Sequence, residues 1–230
     1  MSLKLITFDL DNTLWHTEPV IIKADEVQWQ SILSCCPEVK DTFSKARFEQ
    51  LKRQVANNNP HLIHKLSLLR IECLFQLFLE SGLKEDQARY FSHQVFADFI
   101  QARNQVELFP HALNLLKSLQ TDYQVIALSN GNANLTTIGL DHLFDAHFHA
   151  ENVKRPKPHN DMFLAALDHA QVNAHQALHI GDHPEQDIAA AQQLGFQTIW
   201  ANVLNQAWPK HIAKADHDIN NLSEITTLLK

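Results

Sequence analysis

The apolar run Leu5-Ile6-Thr7-Phe8 ends in Asp9, Asp11 and Thr13, and no other strand candidate appears until Tyr123. That gap constrains the fold more than any other feature. A lone strand cannot bury its faces, so this one must pair with strands that lie far along the chain. From about Pro19 to about Arg103 the apolar spacing is helical throughout. Pro19 suits a first helical turn, with Val20, Ile21, Ala24, Val27 and Ile32 on one face. Pro37 interrupts, and a second helix runs through Val39, Phe43, Ala46, Leu51 and Val55 to the Asn57-Asn58-Asn59-Pro60 break. A third spans Leu62 to Leu79 and stops at Ser81-Gly82, where glycine takes up the left-handed end. A fourth covers Ala88 to Ile100.

From Leu108 onward, helices alternate with strands at Tyr123–Leu128, Ala146–His149, Ala177–Ile180 and Phe196–Trp200. The intervening helices fall at Leu113–Leu119, near Leu135, at Asp161–His169 and Asp187–Leu194, and a last one at Leu222–Leu229. Such alternation predicts right-handed βαβ units and a parallel sheet. The expected architecture is therefore α/β. A Rossmann-like parallel core (residues 1–14 and 106–230) is split by an all-helical insertion, residues 15–105.

Composition narrows the function. No apolar run approaches the ~20 residues of a membrane span, and the N-terminus lacks a basic-then-apolar leader. The three cysteines include the adjacent pair Cys35-Cys36, a poor start for a disulfide framework, so a reduced, cytoplasmic setting is expected. The net charge of −7 argues against a nucleic-acid surface. An acidic protein that handles an anion must neutralise it locally, with a metal ion or a few placed cations. Fifteen histidines are many, yet no His-x-x-x-His pair lies beside a carboxylate in a zinc-like pattern. His147 and His149 share one face of a predicted strand, where packing accounts for them.

At a strand's end the chain turns, so Asp9 and Asp11 can converge on one point, where open α/β sheets bind ligands. One carboxylate there can attack phosphorus while the other carries a proton. Three further segments also follow predicted strands. Ser129-Asn130-Gly131 offers a hydroxyl and amides that can cradle a phosphate. Lys157-Pro158 precedes a helix, and Gly181-Asp182 is followed by Asp187. Taken singly these are a turn, a loop lysine and a helix N-cap. In this order, after Asp9-x-Asp11-x-Thr13, they resemble the haloacid dehalogenase superfamily along the whole chain, and residues 15–105 resemble its helical cap.

The resemblance implies a phosphatase, because dehalogenases of this superfamily lack the second aspartate. It implies Asp9 as nucleophile, Asp11 as general acid and base, and Lys157, rather than Lys154, as the cation beside Asp9. Thr13 and Ser129 would hold Asp11 and the phosphoryl oxygens, with Asn130 beside them. Asp9, Asp182 and the Asp11 carbonyl would ligate Mg2+, with Asp187 orienting Lys157 or the metal's waters. His183 departs from the small polar or acidic residue commoner at its position. A finer likeness, in Ser129–Ala133 and His179–Asp182, is to bacterial phosphatases of flavin mononucleotide and a ribitylamino-uracil phosphate. The expected partner is a small phosphorylated metabolite, with neither nucleic acid nor membrane. Trp15, His16 and Asn132 are expected to face the substrate. The alternatives are a sugar-phosphate phosphatase or phosphomutase, a haloacid dehalogenase, or a non-catalytic regulatory module.

Overall fold

The computed structural model describes residues 2–229. Strand β1 (Leu5–Phe8) leads into α1 (Thr17–Cys35), α2 (Val39–Thr42), α3 (Lys45–Asn58), α4 (Leu66–Glu80) and α5 (Glu85–Arg103). The alternating part follows: α6 (Ala112–Leu119), β2 (Gln124–Ser129), α7 (Leu135–Ile138), β3 (Ala146–His149), α8 (Asp161–Ala170) and β4 (Ala177–Gly181). It closes with α9 (Ala190–Leu194), β5 (Gln197–Ala201), β6 (His217–Ile219) and α10 (Ile225–Leu228). The chain divides into two compact units, Met1–Thr17 with Val106–Lys230, and Glu18–Gln105.

In the first unit the described strands form one all-parallel sheet in the order β3-β2-β1-β4-β5-β6. Strand β1 is central, hydrogen-bonded to β2 with Phe8 opposite Ala127 and to β4 with Phe8 opposite Ile180. Burial on both faces explains why Leu5, Ile6 and Phe8 are all apolar, with Thr7 the one buried polar residue among them. Ile6, Phe8, Val125 and Leu178 pack on one side with Leu115 and Leu116 of α6, while Leu5, Ile126 and Leu128 meet Met162 and Phe163 of α8 on the other. The carboxyl ends of β1, β2 and β4 therefore lie side by side, which brings the motif residues together.

In the second unit α4 and α5 pack against each other and α3 against α4, around Leu51, Leu74, Leu77, Phe78 and Val95. Arg70 lies 3.5 Å above the Phe99 ring and donates to Asp25 and Gln28.

The structure departs from the sequence reading in five places. The first unit extends to Thr17, so Trp15 and His16 belong to the sheet unit rather than to the helical insertion. The helix expected over Val39–Val55 is two, because Phe43 is extended and the Ser44 side chain caps α3 by accepting from Arg47 N. Pro60–Leu62 is a 3-10 turn, which delays α4 to Leu66. Pro184–Ala189 forms a wide π-helical turn and only Ala190–Leu194 is α-helical. Strand β6 was not anticipated, since two of its three residues are exposed and it lacks an apolar run.

Candidate active site

Asp9 lies just past β1, and its N–H still donates to the Ile180 carbonyl at 2.8 Å, so the sheet fixes it. Asn12 then takes a left-handed backbone, φ 63°, which asparagine tolerates better than most residues. Its N–H donates to the Trp15 carbonyl at 2.8 Å, and its side-chain oxygen accepts from Thr17 N at 3.0 Å. This tight loop sets Asp11 beside Trp15 and Thr17. There Asp11 Oδ1 accepts from Trp15 Nε1 at 2.9 Å and from Thr17 Oγ1 at 2.8 Å.

Lys157 reaches the same point from the loop before α8. Asn130 fastens that loop, accepting from Lys157 N at 2.9 Å and donating to the Lys157 carbonyl at 2.7 Å and to Gln186 at 2.8 Å. The buried Lys157 ammonium donates to Asp9 Oδ1 at 2.8 Å, Asp187 Oδ1 at 2.5 Å and the Leu128 carbonyl at 2.7 Å. Lys154, the competing cation, is exposed.

Asp187 is held from three sides. Besides Lys157, His183 N donates to Oδ2 at 2.9 Å, and His179 Nε2 lies 3.2 Å from Oδ1. With Asp187 ionised, His179 carries its proton on Nε2, and Nδ1 accepts from the Thr7 hydroxyl at 2.8 Å. Gly181 leaves room for this arrangement, because a Cβ there would lie 2.4 Å from Asp187 Cγ. The unusual His183 is a cap, its Nδ1 accepting from the N–H groups of Glu185 and Gln186.

Burial penalises charge here, and the penalty falls unequally. It raises Asp9 to about 7 against the opposing pull of Lys157, and raises Asp182 to about 8 with help from the Asp9 charge. Asp187 is buried as deeply, but Lys157 and His179 hold it below the usual carboxylate range. Lys157 is raised above its ordinary value because Asp187 and Asp9 outweigh its own burial. Ligand oxygens of Asp9, Asp182 and Asp187 lie within 4.8 Å of one another. Three carboxylates around one ammonium leave an excess of negative charge, and oxygen donors of this kind suit a hard divalent cation. The residues therefore fit a divalent metal ion.

Some expectations about individual residues need correcting. Thr13 was expected to hold Asp11, but its hydroxyl donates to Asp9 Oδ2 at 3.1 Å, and Asp11 relies on Trp15 and Thr17. Asn130 spends its side-chain amide on the Lys157 loop rather than offering it to a phosphate. Trp15 was expected to face the substrate, yet it is fully buried among core residues, and its Nε1–H serves Asp11. Ser129 ends β2 with its Oγ accepting from Gly131 N at 3.0 Å, and His16 and Asn132 are half-buried.

Sequence reasoning missed Thr17 and Trp200. Trp200 Nε1 donates to the Asp182 carbonyl at 2.6 Å, and Trp208 packs edge-on against the indole at 4.8 Å. Its signal was positional: Trp200 pairs with Gly181 in the sheet, beside the metal-type aspartate.

Comparison with known proteins agrees with this geometry. A family model described as haloacid dehalogenase-like hydrolase matches residues 3–195. The chain is 26% identical over 228 residues to 5-amino-6-(5-phospho-D-ribitylamino)uracil phosphatase YigB of Escherichia coli, covering 97% of this chain and 95% of the relative. It is 28% identical to haloacid dehalogenase-like hydrolase domain-containing protein 3 of Xenopus laevis, over 86% of this chain and 84% of that protein. Its structure is similar to that of 2-haloacid dehalogenase from Pseudomonas syringae pv. Tomato, with a TM-score of 0.93, 33% identity, and 99% and 98% of the two chains covered. The matched segment contains every carboxylate of the cluster, and the chain belongs to the haloacid dehalogenase-like hydrolases.

Proposed function

We propose that this hydrolase, which cleaves phosphoric monoesters, does so through an aspartyl-phosphate formed on Asp9, with Mg2+ as its cation. The supporting observation is the second carboxylate. Asp11, two residues past Asp9, is held by two donors on one oxygen. A carbon–halogen bond needs no proton donor at its leaving group, whereas an alkoxide does.

Asp9 attacks phosphorus as the bond to the leaving oxygen breaks, and Asp11 gives that oxygen its proton. Asp11, now a carboxylate, takes a proton from water as that water attacks phosphorus. Asp9 is regenerated and inorganic phosphate departs. Asp9, Asp182 and the Asp11 carbonyl would hold Mg2+, which offsets the repulsion between carboxylate and phosphate. Lys157 adds a fixed positive charge, and Asp187 keeps that lysine in place. Trp15 and Thr17 orient Asp11. The proposed substrate is a small phosphorylated metabolite, with flavin mononucleotide and the ribitylamino-uracil phosphate of the Escherichia coli relative as first candidates.

A dehalogenase is the second reading, favoured by the likeness to the Pseudomonas syringae structure. One panel separates the two: phosphate release from flavin mononucleotide, the ribityl phosphate and sugar phosphates, beside chloride release from 2-chloropropionate. Chloride without phosphate would overturn the phosphatase reading.

Asp11→Asn should lower kcat/KM, which reads the first step alone, by ~10²–10⁴-fold on alkyl phosphates and by less on a nitrophenyl phosphate, whose leaving group needs no proton. Equal losses on both would mean that Asp11 does not act on the leaving oxygen. Chelation with EDTA should abolish turnover. Because Asp9 and Asp182 are raised to about 7 and 8, protons compete with the ion. The Mg2+ concentration for half-maximal activity should therefore rise as the pH falls from 8.5 to 6.5. A requirement flat across that range would place the ion on other ligands.

A further inference from the structure

A second cluster of chemistry-bearing side chains lies on β3, away from the aspartates. His147 and His149 project from one face of this edge strand, with ring centroids 5.2 Å apart. Phe148, between them, points the other way and meets His169 of α8. Both histidines line a pocket of about 240 Å³ closed by Ala133, Asn134, Leu135, Thr136, Asp141 and Phe144. His147 Nε2 and His149 Nδ1 are buried without a hydrogen-bond partner. Buried polar atoms are nearly always paired, so two orphans on neighbouring rings require a reason.

We propose that His147 and His149 form a second cation site, selective for a borderline divalent ion such as Zn2+ and distinct from the carboxylate site proposed for Mg2+. Imidazole suits Zn2+, Ni2+ and Cu2+, whereas carboxylates suit Mg2+. The spacing also fits. Two imidazoles with centroids 5.2 Å apart are close enough for both to reach one ion through Zn–N bonds of ~2.0–2.1 Å. The two imidazoles are the ligands that the chain supplies there, and water would complete the shell. Desolvation keeps His147 neutral, the form that binds metal. The frame is firm on the strand side: His149 N donates to Asn152 at 2.8 Å, and His149 pairs with Ser129 in the sheet.

The test is calorimetric titration of the full chain with Zn2+ in saturating Mg2+, which keeps the carboxylates occupied. One Zn2+ per chain is expected, with affinity falling at least about tenfold in His147→Phe and in His149→Phe. The same titration of His142→Gln, an exposed neighbour, should match the parent. Imidazole NMR signals of the unmodified protein give a reading independent of the variants' folding. Sub-stoichiometric Zn2+ should shift those of His147 and His149 first. No binding, binding unchanged in His147→Phe/His149→Phe, or shifts confined to other histidines would each overturn the proposal.

Discussion

Asp9→Asn is expected to reduce phosphate release to the uncatalysed background. An amide oxygen is too poor a nucleophile to open the first step. The substitution keeps volume and shape, so Thr13 retains its acceptor and Lys157 its bond to Asp187. Its effect on stability should run the other way. Asp9 is raised from 3.8 to about 7, so its ionised form costs stability, a cost absent below pH 4 and fully present above pH 7. A neutral side chain removes that cost, and at pH 8 without metal the variant should unfold at the same temperature as the parent or higher. Turnover above background, or a marked loss of Tm, would show that Asp9 is not the nucleophile or that its charge supports the fold.

Lys157→Met is expected to damage both activity and fold. Removing one partner of a buried ion pair typically costs ~3–5 kcal/mol, because the other charge stays buried and uncompensated. Here the lysine faces two carboxylates, and its side chain is 1% exposed. Urea denaturation at pH 8 should show the full loss. At pH 6, where Asp9 takes up a proton, part of the stability should return. The sign follows from Asp9, which loses its positive neighbour, titrates still higher and so is neutral at pH 6. A variant as stable as the parent at pH 8 would mean that water, not Lys157, balances the carboxylates.

Much of this site was legible in the chain because strand ends are legible. Apolar β-type runs stopping at Asp9, Ser129 and Gly181 identify the sheet's carboxyl edge, and sheet pairing sets those ends together. Spacing carried less information where a long-range hydrogen bond decides the outcome. Nothing within three residues of Asp182 hints that Trp200, eighteen positions on, fastens its carbonyl. Thr13 and Asn130 lie beside the aspartates and Lys157 but bond to partners other than those expected, because a local pattern gives proximity and not direction. Trp15 shows the same limit: its indole covers core on one side and still presents an N–H to Asp11. The break at Ser44 was lost for a different reason, since the apolar spacing continues across it while the backbone does not.

An ammonium group has three protons, and all three of those on Lys157 have acceptors: Asp9, Asp187 and the Leu128 carbonyl. None is left over for an incoming phosphate. In the proposed chemistry Lys157 therefore first meets the phosphate through its charge and not through a hydrogen bond. Esterification changes the count, because Asp9 surrenders its negative charge to the new bond and becomes a poorer acceptor. The proton it held can then swing to a phosphoryl oxygen while the other two keep the ammonium in position. The positive charge stays where it is as the negative charge beside it passes from protein to phosphate. Hydrolysis returns both to where they began, and the site is ready for another substrate with no side chain having travelled.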